Sequence, residues 1–242
     1  MENRHHKTKP IAIESWLEGK LPGYRFGLVL VLLLITFVFL ASALQGAWVP
    51  VVATALQGLT VLAAFRASEV SRHLFRFAVL VVAVALLAAL GAQFFGVTSE
   101  SKGAFYLLSA LMVAAAPIAI ARALWKRPLI DVHTVLGAIC IYVLIGMMFA
   151  FAYATIDLLG SEPFFVQTKV ATTADYLYFS FVTITTVGYG DFTAATGLGR
   201  ALASVEALLG QVYLVTVVAT IVGGMNRARA LPAEVSPPRA DD

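Results

Sequence analysis

Charge is what this sequence has least of. Aspartate, glutamate, lysine and arginine together make up 13% of the 242 residues, against 60% apolar residues and a mean hydropathy of +0.87. A soluble domain carries about 25% charged and 45–50% apolar residues. The chain therefore has too little charge to keep a surface of its size in water. That excludes a soluble enzyme, a nucleic-acid binder and a disordered polypeptide for the bulk of it. Cysteine is nearly absent too: Cys140 stands alone, so no intrachain disulfide forms. No zinc-protease His-Glu-x-x-His, Gly-x-Ser-x-Gly elbow, P-loop or Cys-x-x-Cys pattern occurs, and no cofactor is implied. The net charge of +3 and pI near 9.1 are read as cytoplasmic loop charge of a membrane protein rather than as a patch for an anionic partner.

What the sequence has instead is long uncharged runs, and a helix of about 20 apolar residues crosses a bilayer. Residues 26–65 hold two such lengths, divided at Gln45-Gly46-Ala47-Trp48-Val49-Pro50, where glycine, an interfacial aromatic and proline read as a turn. Residues 77–99, 103–121 and 132–156 give one each, and 201–226 a sixth, interrupted only by Glu206. The run 176–190 is too short to cross and reads as re-entrant. The expected fold is thus an all-α membrane protein with six transmembrane helices and a re-entrant element.

Basic residues fix the orientation. Arg4, Lys7, Lys9, Lys20 and Arg25, then Arg66, Arg72 and Arg76, then Arg122, Lys126 and Arg127, then Arg227, Arg229 and Arg239 fall on one side. Only Lys102, Lys169 and Arg200 fall on the other. Both termini are expected in the cytoplasm, in a multi-pass protein of the cell membrane. Trp16, Trp48 and Trp125 fall at expected interfaces. The chain divides into a polar, basic cytoplasmic segment (1–23), a four-helix transmembrane domain (24–124), a second membrane domain (128–227) and a Pro-containing cytoplasmic tail (228–242).

The second domain carries the chemistry. Asp175-Tyr-Leu-Tyr-Phe-Ser-Phe-Val-Thr-Ile runs into Thr185-Thr186-Val187-Gly188-Tyr189-Gly190-Asp191. A short helix followed by a glycine-containing loop at membrane depth sets backbone carbonyls where a dehydrated cation can pass. Successive carbonyls face one side only if φ alternates in sign, and Gly188 and Gly190 allow positive φ at little cost. Val187 and Tyr189 supply bulk behind the strand. Thr186 adds a hydroxyl at the inner end, and Asp191 sits at the outer mouth. The helix, expected over 174–184 with Thr172 or Thr173 as its cap, points its carboxyl end and partial negative charge at the loop.

With these residues the stretch 175–200 resembles the tetrameric potassium channels, and the flanking helices extend the resemblance over 128–226. It implies a selectivity filter binding K+ at Thr186, Val187, Gly188, Tyr189 and Gly190, with Asp191 at the pore mouth and Thr185 as support. One loop per chain implies a C4 homotetramer. Gly210, twenty residues past Gly190, corresponds to the family's inner-helix hinge; close helix packing is an equal reading. Gln211, Leu214 and Val218 share a face and are expected to line the cavity. The chain departs from the family in the pore helix, where Tyr178, Phe179 and Val182 stand in place of a tryptophan pair or glutamate. Tyr178 is then the candidate partner of Asp191. Glu206 reads as a prop behind the filter, protonated or bonded to hydroxyls such as Thr183, with an outer-leaflet residue reaching water as the other reading.

The implied function is passive, potassium-selective conduction, with the bilayer, K+ and three further copies of the chain as partners. The alternatives are a nonconducting sensor or scaffold subunit, or part of a potassium uptake transporter. The fourth helix, 104–121, contains no basic residue, so voltage gating is not expected. His133, at the start of the fifth helix beside Asp131, reads as an interfacial residue more readily than as a pH sensor.

Overall fold

The computed structural model describes residues 25–42, 46, 48–95, 99–125 and 131–230. The expectations for 1–23 and for the tail from 231 lie outside the described residues. Seven helices are found among the described residues: α1 (Arg25–Ala41), α2 (Val49–Ala67), α3 (Arg72–Phe95), α4 (Ser99–Trp125), α5 (Val132–Leu159), α6 (Thr173–Ile184) and α7 (Gly197–Ala230). No strand is present among them, only an isolated bridge between Phe165 and Ala194. The protein is an all-α membrane protein.

Five helices, α2 to α5 and α7, are long and apolar enough to cross a membrane. The sixth expected crossing, α1, is 17 residues long, or about 25 Å at 1.5 Å per residue. That is the short end of the spanning range. The turn before α2 falls where glycine and proline placed it: α2 begins at Val49, with a proline in its first turn, where no intrahelical N–H is lost. The helical assignment of α4 continues through Pro117 from Ser99 to Trp125.

Contacts along α5 set the directions of the other helices. Gly27 of α1 and Gly137 and Cys140 of α5 lie at one end: a Cβ on Gly27 would meet Leu136, one on Gly137 would meet Leu124 of α4, and Cys140 Sγ approaches the Phe26 carbonyl. At the other end Gly103 of α4 lies against Leu158 and Leu159. So α1 runs with α5, and α4 runs against it along its whole length. In α7, Gly199 lies against Phe164, just past the far end of α5, whereas Tyr213 donates to the carbonyl of Ala138 near its start. Thus α7 also runs against α5.

Helix α6 and the loop after it enter and leave from one side. Thr173, at the start of α6, meets Tyr106 of α4, 2.6 Å between hydroxyls. Ile184, at its end, offers its carbonyl to Tyr142 in the first half of α5. The chain then returns, and Val166 and Ala195 amides close onto the Thr193 and Phe164 carbonyls. The element is therefore re-entrant. Its start is well specified: Thr172 caps α6 by accepting from the Asp175 amide, while the Asp175 carboxylate accepts from the Thr172 amide at 2.7 Å. An equivalent pair, Asp131 with Thr134, starts α5.

The first four helices, α1 to α4, meet through apolar packing and a few buried polar contacts. Thr36 and Thr60 hydroxyls meet at 3.0 Å, and Gln57 donates to the Ser109 carbonyl at 3.1 Å. These helices pack on the α5–α7 unit of their own chain, through α4 on α5 and through α1 on both α5 and α6.

Candidate functional site

The site is the loop that follows α6. Thr185 closes the helix: its amide and its hydroxyl both donate to the Phe181 carbonyl. The next amides stay hooked to the helix end, Thr186 to Thr183 and both Val187 and Gly188 to Val182. These bonds use the carbonyls that an α-helix leaves unpaired at its carboxyl end, and they join the loop rigidly to the helix.

Beyond that point φ alternates. It is +59° at Thr186, +58° at Gly188 and +79° at Gly190, while Val187 and Tyr189 keep negative values. The two glycines were legible in the sequence; Thr186 was not. A β-branched residue in the left-handed region is strained by roughly 1–3 kcal/mol, and the three amide bonds around it hold it there. The clue was parity: if 188 and 190 are positive in an alternating run, 186 must be too. A Cβ added at Gly188 or Gly190 would meet nothing within 4 Å, so these positions need glycine for conformation, not for space.

Side chains on the loop are exposed in the single chain, Val187 by 51% and Tyr189 by 71%. At the outer end Tyr178 donates to Asp191 Oδ2 at 2.7 Å, and its ring stacks on Tyr189 at 6.5 Å between centroids. Helix, loop and outer carboxylate thus form one closed unit. It is buttressed by groups not singled out from the sequence. Gln167 clasps Thr193 with two hydrogen bonds. Asp157, near the end of α5, accepts from the Phe164 amide at 2.6 Å and from the Tyr176 phenol. Phe164 and Phe165 pack with Tyr153, Tyr176, Phe179 and Phe192. The one signal for this cluster was a Phe-Phe pair in an otherwise polar outer loop.

Behind the loop, Glu206 is fully buried, which settles against an outer-leaflet residue reaching water. Its hydroxyl partners are Tyr153 and Ser180; Thr183, named from the sequence, is not among them. The helix shift explains this: Ser180 lies one turn before Ile184, as Glu206 lies one turn before Gly210. At Gly210 a Cβ would come within 2.5 Å of Ile184 Cγ1 and 2.7 Å of the Ile184 carbonyl oxygen. Gly210 is therefore a close-approach point, and α7 runs through it without a break. Gln211, Leu214 and Val218 are exposed on the face of α7 turned away from α5 and α6.

Neither the curated proteins nor the solved structures contain a match to this chain. Residues 138–225, from α5 through the re-entrant unit and most of α7, match a protein-family model described as an ion channel, so the part of the chain that carries the site has the family pattern of an ion channel in a membrane.

Proposed function

We propose that the chain is one subunit of a potassium-selective channel of the cell membrane, with four copies arranged around the loop 186–190 and both termini in the cytoplasm. The observation that carries this reading is the alternation of φ over five consecutive residues, positive at Thr186, Gly188 and Gly190. Alternation turns successive carbonyls to the same side, and a column of carbonyl oxygens can replace the water shell of K+. A single loop cannot surround an ion. The exposure of Val187, Tyr189 and the Gln211, Leu214 and Val218 face is what a fourfold arrangement would cover or turn to an aqueous cavity. Asp191 would draw cations to the outer mouth, and the carboxyl end of α6 would favour them at the inner end. Conduction along such a column of carbonyls needs neither a second ion nor a reaction, so it would be passive.

The test is reversal potential in proteoliposomes. It should follow the potassium gradient, ignore an opposed sodium gradient and collapse with barium. A coupled ion would indicate an uptake transporter, and no current from folded protein a sensor or scaffold. Gly188→Ala should abolish conduction, because alanine resists φ of +58°; selective conduction by that variant would place the filter elsewhere. Native mass spectrometry of the active preparation should show four chains.

A further inference from the structure

Among the described residues Glu206 is the one buried carboxylic side chain, and its surroundings allow a hydrogen count. Three oxygen–oxygen contacts meet there. Tyr153 Oη lies 2.5 Å from Oε2, Ser180 Oγ lies 2.5 Å from Oε1, and the same Ser180 Oγ lies 2.6 Å from the Gly146 carbonyl oxygen. At such separations each pair needs a hydrogen between its oxygens, or lone pairs face each other. Tyr153 supplies one hydrogen and Ser180 one; the Gly146 carbonyl supplies none. Three contacts and two hydrogens leave one missing.

Among the described residues no other group is hydrogen-bonded to Glu206. On α5, the Tyr142 phenol is committed to the Ile184 carbonyl at 3.0 Å, and Asp157 to the Phe164 amide and Tyr176 phenol. On α7, the Tyr213 phenol is committed to the Ala138 carbonyl at 2.7 Å. On α6, Tyr178 is committed to Asp191. No lysine or arginine among the described residues pairs with Glu206. An ionised carboxylate here would be a buried charge without a counter-charge, and it would claim the Ser180 hydrogen, leaving Ser180 Oγ and the Gly146 carbonyl oxygen 2.6 Å apart with no hydrogen between them.

We infer that Glu206 is a neutral carboxylic acid acting as a hydrogen-bond donor, and that it is the central link of a chain running Tyr153 O–H to Oε2, Oε1–H to Ser180, and Ser180 O–H to the Gly146 carbonyl. In this arrangement every oxygen is satisfied. The chain ties all three helices of the ion-channel domain together, α5 through Tyr153 and Gly146, α6 through Ser180, and α7 through Glu206. Glycine makes the join possible: a Cβ on Gly146 would meet the Phe181 ring at 2.9 Å, so α6 lies close enough for Ser180 to reach the backbone of α5. One helical turn further, Gly210 of α7 receives Ile184 of α6. Two matched i, i+4 contacts, Glu206 with Ser180 and Gly210 with Ile184, thus seat α6 on α7. Glu206 is a positioning residue for the loop that Ile184 precedes. That consequence for conduction rests on the potassium-channel reading above; the protonation does not.

The experiment is infrared spectroscopy of the purified full-length protein in lipid at neutral pH, in H2O and D2O, on wild type and Glu206→Gln. A protonated-carboxyl C=O band is expected in wild type, shifted in D2O and missing from Glu206→Gln. Absence of the band, or its persistence in the variant, overturns the inference. Thermal unfolding gives an independent readout. Glutamine can accept from Tyr153 and donate to Ser180, so Glu206→Gln should restore the midpoint that Glu206→Ala lowers. Where Glu206→Ala does not fold, Ser180→Ala, which breaks the chain at its second link, serves as the destabilised reference. A glutamine variant as unstable as that reference overturns the donor role. A wild-type band in protein that carries no potassium current leaves the inference standing and removes the channel reading instead.

Discussion

Gly210→Ala separates two accounts of the inner helix. If Gly210 is a bending point, alanine stiffens α7 and changes how often the channel opens, while the loop 186–190 is untouched. The structure points to a different consequence. The added Cβ would stand 2.7 Å from the Ile184 carbonyl oxygen, roughly 0.6 Å inside the ~3.3 Å at which carbon and carbonyl oxygen meet comfortably. Ile184 is fully buried, so its side chain has nowhere to retreat, and the backbone oxygen cannot turn without giving up the Tyr142 hydrogen bond. The helices must part. Overpacking of this kind costs about 1–3 kcal/mol. Replacing glycine by alanine inside a helix returns about 1 kcal/mol. The net is a loss of up to about 2 kcal/mol per chain.

The displaced group is the last residue of α6, and the amides of Thr186 and Val187 are anchored on the carbonyls just before it. A shift there carries the whole loop. Gly210→Ala is therefore expected to lower the thermal midpoint and, if the chain forms the potassium channel proposed above, to weaken its preference for potassium over sodium in bi-ionic reversal potentials. A variant with the wild-type midpoint and permeability ratio, but altered open probability, would refute the packing argument and restore the hinge.

Two further outcomes are expected. Tyr178→Phe removes the side-chain hydrogen bond between α6 and Asp191 and should shorten conducting bursts severalfold in single-channel records; unchanged bursts would show that the Phe192 amide alone holds Asp191. Open probability should depend only weakly on voltage, because one charge crossing the full field gains about 2.3 kcal/mol per 100 mV and the interior of α1 to α4 holds Thr36, Thr60, Gln57 and Ser109 rather than charges; a limiting slope of several elementary charges would contradict this.

The legible parts of the fold were those governed by local rules. Uncharged runs gave the crossing helices, the Thr172-Thr173 pair gave the start of α6 without choosing between them, and the glycine spacing gave two of the three positive-φ positions. The parts that were not legible depend on which residues meet across elements. Ser180 and Thr183 both offer hydroxyls on α6, and sequence cannot choose between them; the offset of α6 on α7, set by Gly210 under Ile184, places Ser180 at Glu206. Nothing in the sequence marks Asp157, yet it anchors the outer loop by accepting from the Phe164 amide.

The placement of the four-helix domain follows from connection length and has a mechanical consequence. Only five residues separate Trp125 from Asp131, and so short a connection makes consecutive helices antiparallel neighbours. That is the relation found between α4 and α5. With α4 fixed, α1 falls against α6 of the same chain, where Phe37 packs on Phe181 with ring centroids 4.7 Å apart. The other end of α6 is held by the Tyr106–Thr173 hydroxyl contact from α4. The domain therefore grips the re-entrant helix at its start and near its end, and α7 instead packs on α5 and α6. A movement of α1 against α4 would be felt by α6 and by the carbonyls it supports before it reached α7. If a stimulus acts on the four-helix domain, the shortest physical route to conduction runs through the foot of the glycine loop rather than through the inner helix.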